Sequence, residues 1–431
     1  MFTKFYISLF KLIPLLFLLS CHSTNDVESR VKIKFWAMGA EGEYVQKLLP
    51  QFYKRYPNIE VDVQSIPWTA AQEKLISAFA SDNLPDLFQL GNTWVPQFVA
   101  LDAIMNLDEF IEVSDKISRE SYFEGIWSTN VIDGSLFGVP WYVDTRIVFY
   151  RKDILSRAGY DKFPETWDDL LDASRKIKKN FNDVDKYAIY LPTNEWASFI
   201  IFALQNNSGI LKENNSYGAF RGKEFREAFE YLINFHKEGL APIGISQVTN
   251  VYQAFAENYF SMYISGPWNI PEFNKWMTGE LADKWGTAPM PSNTGNYPGT
   301  SLAGGASLVI NKKTKNTNAS QKFIEFLSEP EIQIKFYTLI NDLPAVKVAW
   351  EDSLLANNKY MQAFFKQFHN VTATPKIAEW EQIAFSKVQQ YAEEAVRGTK
   401  SIEDILISLD NDVDKILEKR RWLLSKKNDK D

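Results

Sequence analysis

The sequence predicts an α/β fold in two domains, built on mainly parallel sheets. Three observations carry this. The chain has 431 residues, more than a single core ordinarily serves, so two domains of roughly 200 residues each are expected. Period-two and helical hydrophobic patterns alternate along it, which is how a parallel sheet with covering helices is wound. Hydrophobic residues at 45% and charged residues at 23% belong to an ordinary globular chain, not to a disordered or coiled-coil one.

The elements follow in order. Val31, Ile33 and Phe35 alternate with Lys32 and Lys34, the pattern of a half-buried strand. Gly39 and Gly42 break it, and Tyr44, Val45, Leu48, Leu49, Phe52 and Tyr56 then recur at helical spacing until Pro57-Asn58. Ile59, Val61 and Val63 make a second strand, residues 71–81 a second helix, and residues 87–90 a short apolar run after Pro85-Asp86. Asp133-Gly134 marks a tight turn. Residues 146–151 and 187–191 are strand-like, as are 260–264 and 306–310, while 196–205 and 223–238 are helical. Thr166 with Asp169, and Ser401 with Asp404, are capping-box starts of helices. From residue 320 the chain is mostly helical, and it ends in a charged tail, 421–431, whose last residues, 426–431, are expected to fray.

The N-terminus reads as an address. Lys4 and Lys11 precede an apolar run at 12–19 that is too short to span a bilayer as a helix. The run ends in Leu18-Leu19-Ser20-Cys21, which resembles a bacterial lipobox, with Leu19 departing from the small residue usual at that position. Residues 1–20 are thus expected to be a lipoprotein signal peptide and Cys21, the one cysteine, the lipidated residue. Several acyl chains there would anchor the protein stably, with 21–30 as a polar tether and the remainder outside the cytoplasm.

Composition excludes several functions. A net charge of −7 with no basic block makes a poor nucleic-acid partner. The three histidines, His22, His236 and His369, are far apart, so a Cys/His metal site is not expected. No phosphate-binding glycine loop or nucleophile elbow occurs. With 54 acidic residues, carboxylate pairs suitable for glycoside hydrolysis are everywhere and carry no information. Aromatic residues reach 15%, with 13 Trp, which suggests a use beyond core filling.

The ordered series of short motifs resembles the family 1 extracellular solute-binding proteins, the group that includes maltose-type binding proteins. It runs from about residue 31 to 417: Trp36 on the opening strand, Tyr56-Pro57-Asn58, Asn92-Thr93-Trp94, Gly138-Val139-Pro140-Trp141 with Asp144 and Arg146, Pro164-Glu165-Thr166-Trp167, Gly266-Pro267-Trp268, Gly304-Gly305 and Glu379-Trp380. The resemblance implies a two-lobe periplasmic-binding-protein fold of type II, with a hinge of crossing segments and a ligand cleft that closes by population shift. It places 31–143 and 288–345 in one lobe and 148–284 and 346–420 in the other. It further implies a monomer without cofactor or catalytic residues, which delivers a small solute to the transmembrane subunits of an ABC permease.

A sugar ring needs an aromatic face and planar polar partners for its hydroxyl rim. Several strand ends offer both. Asn92 and Trp94 follow a strand, although Asn92 also suits a helix cap. Tyr142, Asp144 and Arg146 fall where the family crosses between lobes, and the latter two also suit a hinge ion pair. Glu195 and Trp196 open a helix, where Trp196 also suits the core. Trp268 sits on a Gly-Pro turn able to present its ring. Gly304 and Gly305 allow close backbone approach or a bulge. Trp36 completes the expected set. Glu41 and Glu43 are read as acids favoured at a helix start, and Trp167 as structural. A polyol phosphate, a peptide or a polyamine remains open as ligand, the last requiring an acidic, aromatic-caged cleft.

Overall fold

The computed structural model describes residues 30–428 apart from 182 and 245–247. The expected signal peptide, Cys21 and nearly all of the tether lie outside the described residues, as do 429–431. Among the described residues no helix is long and apolar enough to cross a membrane.

Ten strands form two sheets: β1 Val31–Met38, β2 Ile59–Ile66, β3 Leu87–Gly91, β4 Val139–Asp144, β5 Ile147–Arg151, β6 Tyr187–Tyr190, β7 Phe260–Ser265, β8 Trp285–Ala288, β9 Gly304–Ile310 and β10 Leu343–Pro344. The first sheet has the order β10-β4-β9-β3-β1-β2 and the second β8-β5-β7-β6. The expectation of mainly parallel sheets holds only in part. β1 runs parallel to β2 and β3, but β9 is antiparallel to both β3 and β4, and β5 is antiparallel to β7 and β8. The strands that break the pattern border the crossings between sheets. A strand that enters from the other lobe need not keep the direction set by a local strand-helix-strand winding.

Three crossings join the lobes. Only Thr145 and Arg146 separate β4 from β5, residues 289–303 separate β8 from β9, and the chain leaves the first sheet again after β10. The second crossing is later than the sequence reading places it: residues 285–288 pair with β5, so Ala288 belongs to the second sheet. The segment after β10 also packs otherwise than expected. Phe364 meets Phe149 of β5, while Phe368 stacks on Phe123, so residues 355–368 wedge between the lobes and only 377–417 complete the second core.

Both lobes are ordinary in their local chemistry. Asp133 and Gly134 take positive φ in a two-residue hairpin between Val131–Ile132 and Ser135–Leu136, as the turn requires. Thr166 and Ser401 each accept a hydrogen bond from the amide three residues on, at 3.1 Å. The helix expected over 44–56 is instead a helix at Gly39–Tyr44, a 3₁₀ turn and a second helix at Leu49–Arg55. Pro50 accounts for the seam, since it has no amide to continue the earlier ladder. The start of the charged tail is helical. A helix covers Glu418–Asn428, held by Arg421, which donates to the carbonyls of Ser216 and Asp414 at 2.8 Å each.

Candidate functional site

The tryptophans are mostly core. Trp127, Trp141, Trp167, Trp285, Trp350 and Trp380 are buried in the lobes or between them, so the aromatic content is largely spent on packing. A smaller group surrounds a cavity of about 520 Å³ between the two sheets. The first lobe supplies Trp68 and Trp94, whose rings meet edge to face at 5.6 Å. The second supplies Trp196, Trp268 and Phe385.

Trp268 is the most open of the four tryptophans, 46% exposed. Its ring folds back over Gly266, where a Cβ would lie 2.0 Å from ring carbon, so glycine is required there. The Arg146 guanidinium stacks on the same ring at 4.7 Å, a cation–π contact. Arg146 also donates to Asp144 at 3.1 Å and lies 3.8 Å from Glu195. The hinge ion pair foreseen as the alternative to ligand contact therefore exists, and both its members still line the cavity.

The floor is made where β4 and β9 run side by side. Gly305 has φ +116°, and a Cβ on it would lie 2.3 Å from the Tyr142 carbonyl oxygen; one on Gly304 would lie 2.2 Å from Asp144 Oδ1. Glycine at both positions lets the carboxylate and the strand edge face the cavity directly. Tyr142 donates to Glu41 Oε1 at 2.7 Å and accepts from Gln89 at 3.1 Å. Trp68 Nε1 also donates to Glu41, at 3.3 Å. Glu41 is 7% exposed, and this burial pushes its pKa up despite those donors.

Two more carboxylates approach the same space. Asp342, just before β10, lines the cavity with Oδ2 lacking a hydrogen-bond partner. Burial and then the neighbouring charges of Glu41 and Asp144 hold its pKa well above the usual carboxylate range. Burial likewise raises Asp144, with Arg146 opposing. From the second lobe Glu381 reaches the wall formed by Thr93 and Trp94, its Oε1 without a hydrogen-bond partner; burial raises its pKa and the nearby polar groups of those two residues oppose the rise. Asn92 is 4% exposed, accepts from Ser307 at 2.8 Å, and leaves Nδ2 without a partner at the cavity wall.

Asn92, Trp94, Tyr142, Asp144, Arg146, Trp196, Trp268 and the Gly304-Gly305 pair thus converge on one cavity. Two candidates do not. Trp36 points away from it, under the Lys74 ammonium at 4.9 Å, beside an open groove along the helix Trp68–Ala80. The cause is strand periodicity: the cavity lies past the end of β1, where Glu41 stands, whereas Trp36 within β1 faces the covering helix. Glu195 stays one contact back, touching Arg146 and accepting from the Ala197 amide at 3.3 Å. Sequence reasoning missed Trp68, Asp342, Glu381 and Phe385, and set Glu41 aside. Trp68 follows β2 directly and was open to the strand-end argument used for Trp94. Asp342, Glu381 and Phe385 lie in helical or turn segments whose local pattern carries no such signal.

Comparison with known proteins agrees with this architecture. Residues 37–334 match the family described as bacterial extracellular solute-binding protein. The structure of the sugar-binding protein MalE from Xanthomonas citri is 44% identical, covers 92% of this chain and 99% of its own, and superposes with a TM-score of 0.88. An ABC transporter solute-binding protein from Thermotoga lettingae, bound with α-D-tagatose, is 25% identical over 90% of this chain and 100% of its own, with a TM-score of 0.73. The diacetylchitobiose-binding protein DasA of Streptomyces coelicolor is 22% identical over 80% of each chain. The match extends over more than half of the sequence and spans both lobes, and the chain therefore belongs to the family of bacterial extracellular solute-binding proteins.

Proposed function

We propose that this protein is the exported receptor of an ABC importer, binding a sugar or oligosaccharide in the cavity between its lobes and presenting it to the permease. The observation that carries the reading is the composition of the cavity wall. Aromatic rings from both lobes stand beside buried carboxylates and an asparagine amide, the pairing that a sugar's apolar face and hydroxyl rim call for. The sugar-binding relatives support the choice of ligand class. Because Trp94 and Trp268 come from opposite lobes, a ligand contacts both only when the lobes are close, and binding favours the closed form.

Residues 1–20 act as the export signal in this reading, and lipid on Cys21 holds a monomeric receptor on the membrane face outside the cytoplasm. The test of that part is Cys21→Ser, which is expected to move the protein from the membrane fraction to the soluble one; an unchanged distribution overturns the anchor.

The ligand reading is tested by thermal shift against mono-, di- and oligosaccharides together with charged non-sugar solutes. A ligand that binds only the folded state raises Tm. One saccharide class is expected to do so, and Trp268→Ala to weaken its binding by about tenfold or more. A shift produced solely by non-sugar solutes removes the sugar reading and leaves the family intact.

A further inference from the structure

Of the tryptophans expected to hold ligand, Trp36 alone lies outside the cleft, and its surroundings are not those of a core residue. It forms one wall of an open groove of about 470 Å³ along the helix Trp68–Ala80. The ring packs in part against the buried cluster that contains Leu75 and Phe88. The Lys74 ammonium lies 4.9 Å from its centre. Among the described residues Lys74 has no other partner, so no ion pair holds the ammonium over the ring.

The facing wall is one side of the helix. Glu73, Ser77 and Ser81 follow at intervals of four residues, which sets their polar groups in a row beside Trp36. Among the described residues neither the Glu73 carboxylate nor the Ser77 hydroxyl has a hydrogen-bond or ion-pair partner. Asn83 closes one end; its Nδ2 donates to the Ser81 carbonyl at 2.8 Å and its Oδ1 is open to a donor. Glu73 and Lys74 balance in charge, so the groove selects no ion. An aromatic ring beside a row of hydroxyl, carboxylate and amide groups suits the apolar face and hydroxyl rim of a sugar.

The helix also joins this groove to the cleft. Trp68, its first residue, lines the cleft and is 37% exposed. The lining of the groove begins at Ala70 and ends beyond Ser81, a run of about 17 Å along the helix axis. Residues 67–70, between the two, are exposed.

From this continuity we infer that the ligand is a linear oligosaccharide longer than the cleft. Its end leaves over Trp68 and lies in the groove, one ring on Trp36 in place of the Lys74 ammonium, with hydroxyls on Glu73 and Ser77. The inference rests on the saccharide reading and adds chain length to it. Every residue of the groove belongs to the first lobe, so this contact is the same whether the lobes are open or closed. It raises affinity for long chains without itself driving closure, since a contact made equally in both states shifts neither.

The experiment is titration calorimetry on the full chain with linear gluco-, chito- and arabino-oligosaccharides, each as a length series from the disaccharide upward. In one series affinity is expected to rise with length beyond the member that fills the cleft. Trp36→Ala is expected to remove that rise, weakening the long members by about tenfold while the shortest binds as before. Because Trp36 also touches the core, a double variant of exposed residues, Glu73→Ala with Ser77→Ala, is measured beside it. It is expected to lose part of the rise with no change in the Tm of the ligand-free protein. Affinity that does not grow with length, or a rise that both variants keep, overturns the inference and leaves the saccharide reading standing. So does a Trp36→Ala variant that weakens short and long members alike while the double variant changes nothing. Binding by none of the saccharides overturns both.

Discussion

His236 lies far from the cleft and shows how burial sets a proton equilibrium. It is 3% exposed; its Nδ1 stands 3.0 Å from the Pro242 carbonyl oxygen and its Nε2 has no partner. Nδ1 therefore carries the proton and donates, and the ring is held neutral. Burial lowers its pKa from 6.5 to about 4. In the unfolded chain the ring protonates near 6.5, so between the two values the unfolded state binds more protons. Its contribution to stability is complete above 6.5 and is lost as pH falls from there toward about 4. The loss amounts to roughly 3 kcal/mol by linkage. We expect Tm to fall across this window and His236→Gln to flatten that part of the profile; equal slopes in the two proteins would remove His236 as the cause. The cleft residues obey the same physics with opposite charge, since burial there raises the pKa of Glu41, Asp144 and Asp342.

Two contacts between elements are exacting enough to test. The helix Ile402–Ile416 is joined to the loop after residue 218 by Asp410, a carboxylate 2% exposed. It accepts from the Phe220 amide at 2.8 Å, from Arg221 Nε at 2.8 Å and from the Arg221 amide at 3.3 Å. Asp410→Ala leaves the buried Phe220 amide unsatisfied, and a loss of about 2–4 kcal/mol is expected in denaturant unfolding. A value near zero would mean that water replaces the carboxylate. The second contact is that of β4 with β9. Gly305→Ala puts a methyl group against the Tyr142 carbonyl at a φ of +116°, where L side chains are strained. A fall in Tm and loss of ligand binding should appear together, because the same strands form the cleft floor; retained binding would mean that the floor yields without cost to the site. Opposite that floor, the π-helical stretch Ile383–Val388 carries Phe385 half-exposed at the cavity, its ring 5.8 Å from that of Trp196. Such widened turns inside helices often mark functional positions.

At the scale of the whole molecule, three crossings join the two lobes and the cavity lies between them. Ligand is expected to reduce the radius of gyration measured by small-angle X-ray scattering, since closure brings the lobes together. An unchanged radius at saturating ligand would mean that the two lobes are already docked in solution.

What the sequence alone determined was local or periodic. Strand alternation at Val31–Phe35, the hairpin at Asp133-Gly134 and the caps at Thr166 and Ser401 depend on a few adjacent residues, and the structure has them where the pattern put them. Residues at the ends of strands, such as Trp94, Tyr142, Asp144 and Trp268, were legible because an α/β fold collects strand ends at its cleft. Tertiary structure decided the rest. Trp36 was indistinguishable from a cleft residue until the covering helix showed which face of β1 it takes. Glu41 looked like an ordinary acid at a helix start until Tyr142, 101 residues away, was seen to donate to it. Asp342 and Glu381 sit in segments without a motif, and they reach the cavity only because crossings from the opposite lobe bring them there. Short-range patterns record which face of an element is buried; the order in which the chain crosses between sheets, and so which distant acids share one low-dielectric space, depends on contacts that no local pattern encodes.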